Sequence, residues 1–209
     1  MEEVSKSDGR TILFVSHDLS AISSLTEKCL LLEKGVIAGF DNTQKIIGRY
    51  SEMMASKKEF KSIPVDDAPT ITSVELNTSE SNNLQAHGKS LSVLFEVTMP
   101  YENYTNLALS FQVFNQLNQP ILFNWIFDYE KNICRKKGKN YLRFVYEKIR
   151  LYKGSYYLKI HLANSKTRQK FQEIECCNFT VEMIDMKEPE WGWTEAVCQV
   201  LDDGKWEEG

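Results

Sequence analysis

The chain has 209 residues, 42% hydrophobic, 26% charged and 11% aromatic, an ordinary globular mixture that excludes wholesale disorder and suits a module of about 130 to 150 residues with an appendage. A net charge of -4 and a pI near 5.5 withhold the positive field that a phosphate backbone needs, which excludes nucleic acid as a partner and favours a neutral ligand. Five cysteines, Cys29, Cys134, Cys176, Cys177 and Cys198, lack CxxC spacing and so exclude a disulfide framework or a zinc knuckle.

The opening MEEVSKSDGR has no apolar core of the signal-peptide kind, and no later apolar run approaches the roughly 20 residues that cross a bilayer. A cytoplasmic setting is expected, with the Asn-x-Ser/Thr triplets at Asn77, Asn103 and Asn178 unmodified. Residues 11–16 (TILFVS) form a continuous apolar and β-branched run, the pattern of a strand covered on both faces. His17-Asp18 closes it, and Leu19, Ile22, Leu25 and Cys29 follow at helical spacing. Leu30 to Leu32, a Glu33-Lys34-Gly35 turn and Val36 to Phe40 predict a hairpin. Asn42 or Thr43 then caps a helix running to about Ala55, with Ile46, Ile47, Tyr50 and Met54 on one face.

Residues 56–69 carry charges, two prolines and little periodicity, and predict a linker. From Ile71 the apolar residues alternate in short runs between polar or glycine-bearing turns, which predicts seven or eight strands of an antiparallel sandwich over residues 70–209. The strand at 90–99 sets Leu91, Val93, Phe95 and Val97 against Ser92, Leu94, Glu96 and Thr98. Another at 107–114 sets Leu109, Phe111 and Val113 against Ser110, Gln112 and Phe114. Further strands are expected at 121–128 and 140–146. After Lys153-Gly154, Tyr156, Leu158, Ile160 and Leu162 oppose Tyr157, Lys159 and His161, and Phe179, Val181 and Met183 close the set. Trp125 and Phe127 read as core, and Asn118-Gln119-Pro120 as a hairpin turn.

The string from Gly9 to Tyr50, with Ser16-His17-Asp18 at a strand end followed by a helix and a Lys-Gly hairpin, resembles the C-terminal end of an ABC-transporter nucleotide-binding domain. The resemblance makes His17 the match of the switch histidine that contacts the γ-phosphate and attacking water. No GxxxxGK[ST] loop, LSGGQ-like signature or magnesium-holding acidic strand end occurs in the chain. It is therefore expected to be no enzyme and to carry no catalytic residue and no metal, ATP and Mg²⁺ belonging only to a complete parent ATPase of which it is a fragment or remnant.

An ATPase tail leading through a linker into a β-sandwich is similar to the ATP-binding subunits of O-antigen and related polysaccharide exporters, the Wzt type. The likeness is carried by the strand after Gly88-Lys89-Ser90, by LYKGSYYLKI at 151–160, by Phe179-Thr180-Val181 and by a Gly-x-Trp ending at Gly204 to Trp206. It implies an immunoglobulin-like or jelly-roll domain at residues 70–209 that recognises the non-reducing end of the glycan. A remnant ATPase domain at 1–55 would couple it to a transmembrane permease at the inner face of the inner membrane. A homodimer is also implied.

Sugars are held by hydrogen bonds to hydroxyls and by stacking of ring faces on aromatics. The polar strand faces qualify, and Ser92, Glu96, Ser110, Gln112, Tyr157, Lys159 and His161 form the candidate carbohydrate site, with Tyr157 as the stacking residue. Trp191 and Trp193, one glycine apart, fall on the same side if that segment is extended. The alternative reading of the sandwich is a dimerisation or docking module of the ATPase that does not touch glycan.

Overall fold

The computed structural model describes residues 13–15, 19–33, 35–55, 59–128, 131–194, 197–202, 204 and 207. Two units are distinguished, one drawn from Met1–Ser56 with Gln116–Gln119, the other from Lys57–Asn115 with Pro120–Gly209.

In the first unit, helix α1 (Leu19–Leu25) leads to strands β1 (Lys28–Glu33) and β2 (Val36–Asn42) and to helix α2 (Thr43–Ala55). Helix α1 stops short of Cys29, which lies in β1. Thr26 ends the helix by returning its hydroxyl to the Ile22 carbonyl at 2.7 Å, and it meets the Thr43 hydroxyl at 3.0 Å. The expected hairpin forms, with Leu30 opposite Phe40 and Glu33 opposite Val36; Gly35 supplies the positive φ of 82° at its turn. Asn42 caps α2, its Oδ1 accepting from the Gln44 amide at 2.9 Å. Ile46 is buried beneath Gly39, where a Cβ would come within 3.0 Å of the Ile46 Cδ1. The expected strand at 11–16 does not form over its described part: residues 13–15 are irregular, and Leu13 and Val15 are exposed. Among the described residues no strand lies beside them to pair with. His17 lies outside the described residues.

The second unit is an antiparallel β-sandwich. Its strands are β3 (Phe60–Lys61), β4 (Thr70–Asn77), β5 (Leu84–Ala86), β6 (Leu91–Met99), β7 (Leu107–Asn115), β8 (Pro120–Phe127), β9 (Gly138–Tyr146), β10 (Gly154–Asn164) and β11 (Lys170–Glu182). One sheet runs β5-β11-β10-β7-β8 and the other β3-β4-β6-β9. The only parallel pairing among these strands is the short contact of β5 with β11. Strand β3 falls inside the segment expected to be linker: Phe60 pairs with Val74, and the Ser62 hydroxyl donates to the Ile71 carbonyl at 2.8 Å.

Alternation along the central strands builds the core. Val93, Phe95 and Val97 of one sheet and Leu109, Phe111, Val113, Leu158 and Ile160 of the other are buried in one cluster. Phe111 joins the layers, its ring 5.7 Å from Phe95 and 5.2 Å, edge-on, from Phe144. Strand β11 is longer than the Phe179–Met183 pattern indicates, because its register with β10 shifts at Tyr156/Leu158. Cys177 takes a φ of 57° there, so a bulge interrupts the period that a sequence reading follows.

The C-terminal segment is tied back to the sandwich. Leu151 pairs with Val200, and the Tyr152 amide donates to the Gln199 carbonyl at 3.0 Å. Trp191 and Trp193 do not share an extended face. Gly192 turns the chain with a φ of 74°, leaving Trp191 79% exposed, while Trp193 packs edge-on against Tyr152 at 6.1 Å.

Candidate functional site

The outward faces of β8, β7, β10 and β11 form a grid whose rows follow from pairing register. Trp125, Ser110, His161 and Glu173 make one row, and Phe123, Gln112, Lys159 and Glu175 the next. Phe114 and Tyr157 begin a third row, paired across β7 and β10 and stacked at 5.4 Å with ring planes 26° apart. Phe123 and Trp125 lie 5.2 Å apart on the strand at the sheet edge, each more than half exposed. Gln112 therefore has Phe123 on one flank, Lys159 on the other, and Phe114 and Ser110 two residues away along its own strand, on the same face. An amide with donor and acceptor amid aromatic rings is the chemistry that suits a sugar's hydroxyls and its C–H face.

Next to this aromatic and amide area the charges are mutually neutralised. Lys159 Nζ lies 3.0 Å from Glu173 and 3.2 Å from Glu175, and Lys170 also pairs with Glu173. The Lys170 and Lys159 ammonium groups hold the Glu173 carboxyl down to about 2, and Glu173 in turn leads the upward shift of Lys159. His161 lies 3.6 Å from Glu173, yet burial outweighs that attraction and lowers its pKa, which favours the neutral ring.

The seven sequence candidates do not form one site. Ser110, Gln112, Tyr157, Lys159 and His161 share the outward face of the five-stranded sheet, whereas Ser92 and Glu96 belong to β6 in the opposite sheet. Outer faces of a sandwich point away from one another, so the two groups cannot hold the same ligand ring. Ser92 is also buried, 4% exposed, with the Arg143 guanidinium donating to its hydroxyl at 3.3 Å. Glu96 is committed to its own sheet: Thr72 donates to it at 2.7 Å, Tyr141 at 3.1 Å, and Lys139 lies 3.0 Å away. The Thr72 and Lys139 bonds hold its pKa below the ordinary carboxylate value. Ser92 and Glu96 thus lie apart from the other five candidates, on the four-stranded sheet.

No protein-family model matches the chain, and no curated protein matches it either. Among solved structures, it is similar to the C-terminal domain of wzt at 10% identity over 69% of this chain and 87% of that one, with a TM-score of 0.46. It is also similar to a Niemann-Pick type C2 protein from Japanese carpenter ant, at 12% identity over 58% of this chain and 100% of that one, with a TM-score of 0.39. A third is the CARDB domain of the PF1109 protein in complex with di-metal ions from Pyrococcus furiosus, at 13% identity over 58% and 95%, with a TM-score of 0.34. Among the described residues, no cluster of three or more His, Cys, Asp and Glu could hold a metal ion, and no helix is long and apolar enough to cross a membrane.

Sequence reasoning missed Trp125, which it assigned to the core. Trp125 is 52% exposed, and the inward phase of β8 belongs to Leu122, Asn124 and Ile126, with the Asn124 amide donating to the Tyr146 hydroxyl. A signal for this was present: Asn124, the one amide in an apolar run, marked a position where an inward polar group needs a partner. It could not reveal the partner, because Tyr146 lies on the other sheet. The expected stacking residue, Tyr157, already stacks on Phe114, so the two rings form one surface.

Proposed function

We propose that the sandwich is a non-catalytic polysaccharide-binding module of an ABC exporter, recognising the end of an O-antigen type glycan and coupling it to export. Its support is the setting of Gln112, half-buried between Phe123, Phe114 and Lys159 on an open sheet face. The amide and the Ser110 hydroxyl bind sugar hydroxyls, and the joined rings of Phe114 and Tyr157 carry a sugar face. Lys159 and His161 border the ligand. The neutralised charge around Lys159 favours an uncharged sugar, in agreement with the net charge of the whole chain.

The sequence resemblance of residues 9–50 to an ATPase tail supplies the link to a transmembrane permease. With His17 as the sole counterpart of the nucleotide machinery, the chain has no cofactor and neither binds nor hydrolyses ATP by itself. Two copies acting together would present two sugar-binding faces and raise avidity. The test is calorimetric titration of the full chain with surface polysaccharide extracted from the cells that make the protein. Saturable binding that is weakened by Gln112→Ala and Tyr157→Ala supports the reading; binding unchanged in both variants removes the site from this face. Micromolar affinity for ATP with Mg²⁺ would contradict the non-catalytic assignment.

A further inference from the structure

The outward rings of the five-stranded sheet fall into two groups. Phe123 and Trp125 of β8 lie 5.2 Å apart, 54% and 52% exposed, and Phe114 of β7 stacks on Tyr157 of β10 at 5.4 Å. Strand β8 turns its amide inward, where Asn124 donates to Tyr146, and its rings outward. Stability alone selects the opposite sorting, so the exposed rings call for a use at the surface. Register fixes how far apart the groups are: Trp125 pairs with Ser110, Phe123 with Gln112, and Phe114 with Tyr157. With about 3.3 Å per residue along a strand and about 4.8 Å between strands, the centres of the two groups are about 12 Å apart, and Gln112 falls close to the midpoint of the line between them. Aromatic pair, amide and aromatic pair therefore follow one another diagonally across the face.

We infer that this face holds a run of at least three consecutive sugars, with Phe123 and Trp125 as a second stacking subsite. The inference rests on the polysaccharide reading given above and specifies its ligand. Each pyranose advances a glycan chain by a little under half of the separation between the two groups. One sugar therefore cannot reach both, whereas the first and third sugars of a run meet the two aromatic groups and the second lies over Gln112. The rings carry the C–H faces of the outer sugars, and the Gln112 amide, with a donor and an acceptor, serves the hydroxyls of the middle one. Lys159, on the far flank of Gln112, is held by Glu173 and Glu175, so nothing along the diagonal selects a charged sugar. The end of the glycan is thus read as a run of uncharged sugars and not as a single terminal ring.

The test is calorimetric titration of the full chain with a size-separated ladder of oligosaccharides, made by partial hydrolysis of the extracted surface polysaccharide. Affinity is expected to rise by about 5- to 30-fold from the disaccharide to the trisaccharide, the gain of one further aromatic contact, and then to level off. Phe123→Ala and Trp125→Ala together should cancel that rise. A second measurement covers the case in which the double variant fails to fold. Tryptophan fluorescence of the wild type should change on saturation with the trisaccharide, and Trp125→Phe, which keeps a ring at that position, should lose the change. A wild type that binds one sugar as tightly as three, a gain with length that survives loss of both rings, or a fluorescence change absent from the wild type or retained in Trp125→Phe would overturn the inference and leave the polysaccharide reading in place. No binding at any length, the intact polysaccharide included, would remove both.

Discussion

The β1–β2 hairpin and the sandwich are both antiparallel and both rich in apolar residues, yet only one of them buries what it carries. In the sandwich Phe95, Leu158 and Ile160 are at most 1% exposed, while in the hairpin Leu32, Ile37 and Phe40 are each 61–62% exposed. Apolar content makes a core only when a second layer covers it. Helix α2 supplies the hairpin with such cover at Ile46; Leu30, Leu32 and Phe40 remain exposed.

The largest expected consequence is in hydrogen exchange. Amides of β6, β7 and β10 should exchange at least about 1,000-fold more slowly than those of β1 and β2, since opening the sandwich core approaches global unfolding and opening the hairpin does not. Equal protection in the two would mean that the hairpin opens only with the sandwich. Side-chain truncation should show the same contrast. Leu158→Ala is expected to destabilise the sandwich by about 2–5 kcal/mol, as buried leucines do, whereas Leu32→Ala should fall within about 0.5 kcal/mol of wild type. Denaturant unfolding measures both, and a costly Leu32→Ala would mean that the hairpin face is covered after all.

A smaller effect concerns the outer face of the sandwich. Tyr157→Ala should lower polysaccharide affinity by about 5- to 30-fold, or about 1–2 kcal/mol. Because Tyr157 stacks on Phe114, the variant should also lose about 0.5–1.5 kcal/mol of stability. Affinity and thermal unfolding measured on the same samples separate the two losses. The smallest effect is ionic. Glu173 has a depressed pKa, so its stabilising pairs are fully present above its ordinary value near 4.5 and are lost as the pH falls towards about 2. Carboxyl NMR titration should find its midpoint near 2, and Lys170→Ala should raise it; a midpoint at the ordinary value in the wild type would disprove the pairing.

Much of the fold was legible in the sequence, for local reasons. Alternation at Leu109, Phe111 and Val113 and at Tyr156, Leu158 and Ile160 has period two, and the structure keeps those phases. The hairpin at Gly35 and the cap at Asn42 are also local signals, and both formed. What failed depends on tertiary partners. Ser92 keeps its place in the alternation but is buried, and its hydroxyl accepts from Arg143, 51 residues away. Strand β3 is two residues long and exists because β4 is there to pair with it. Strand β8, whose inner phase holds Asn124 and whose outer phase holds Trp125, reverses the usual sorting of polar and apolar residues, so its pattern pointed to the wrong face. The candidate site was legible as a polar strand face on β7 and β10. Its division from Glu96 was not, because strand order is not written in the period of any one strand.

We propose that the outward face of the five-stranded sheet, and not that of the four-stranded sheet, receives polysaccharide. Amide chemical-shift mapping during titration of the labelled full chain with the extracted surface polysaccharide tests it most directly. The shifts are expected to concentrate at Ser110, Gln112, Tyr157, Lys159 and His161 and to leave Glu96, Lys139 and Tyr141 in place. Shifts centred on Glu96 and Tyr141, or none at saturating polysaccharide, would contradict it.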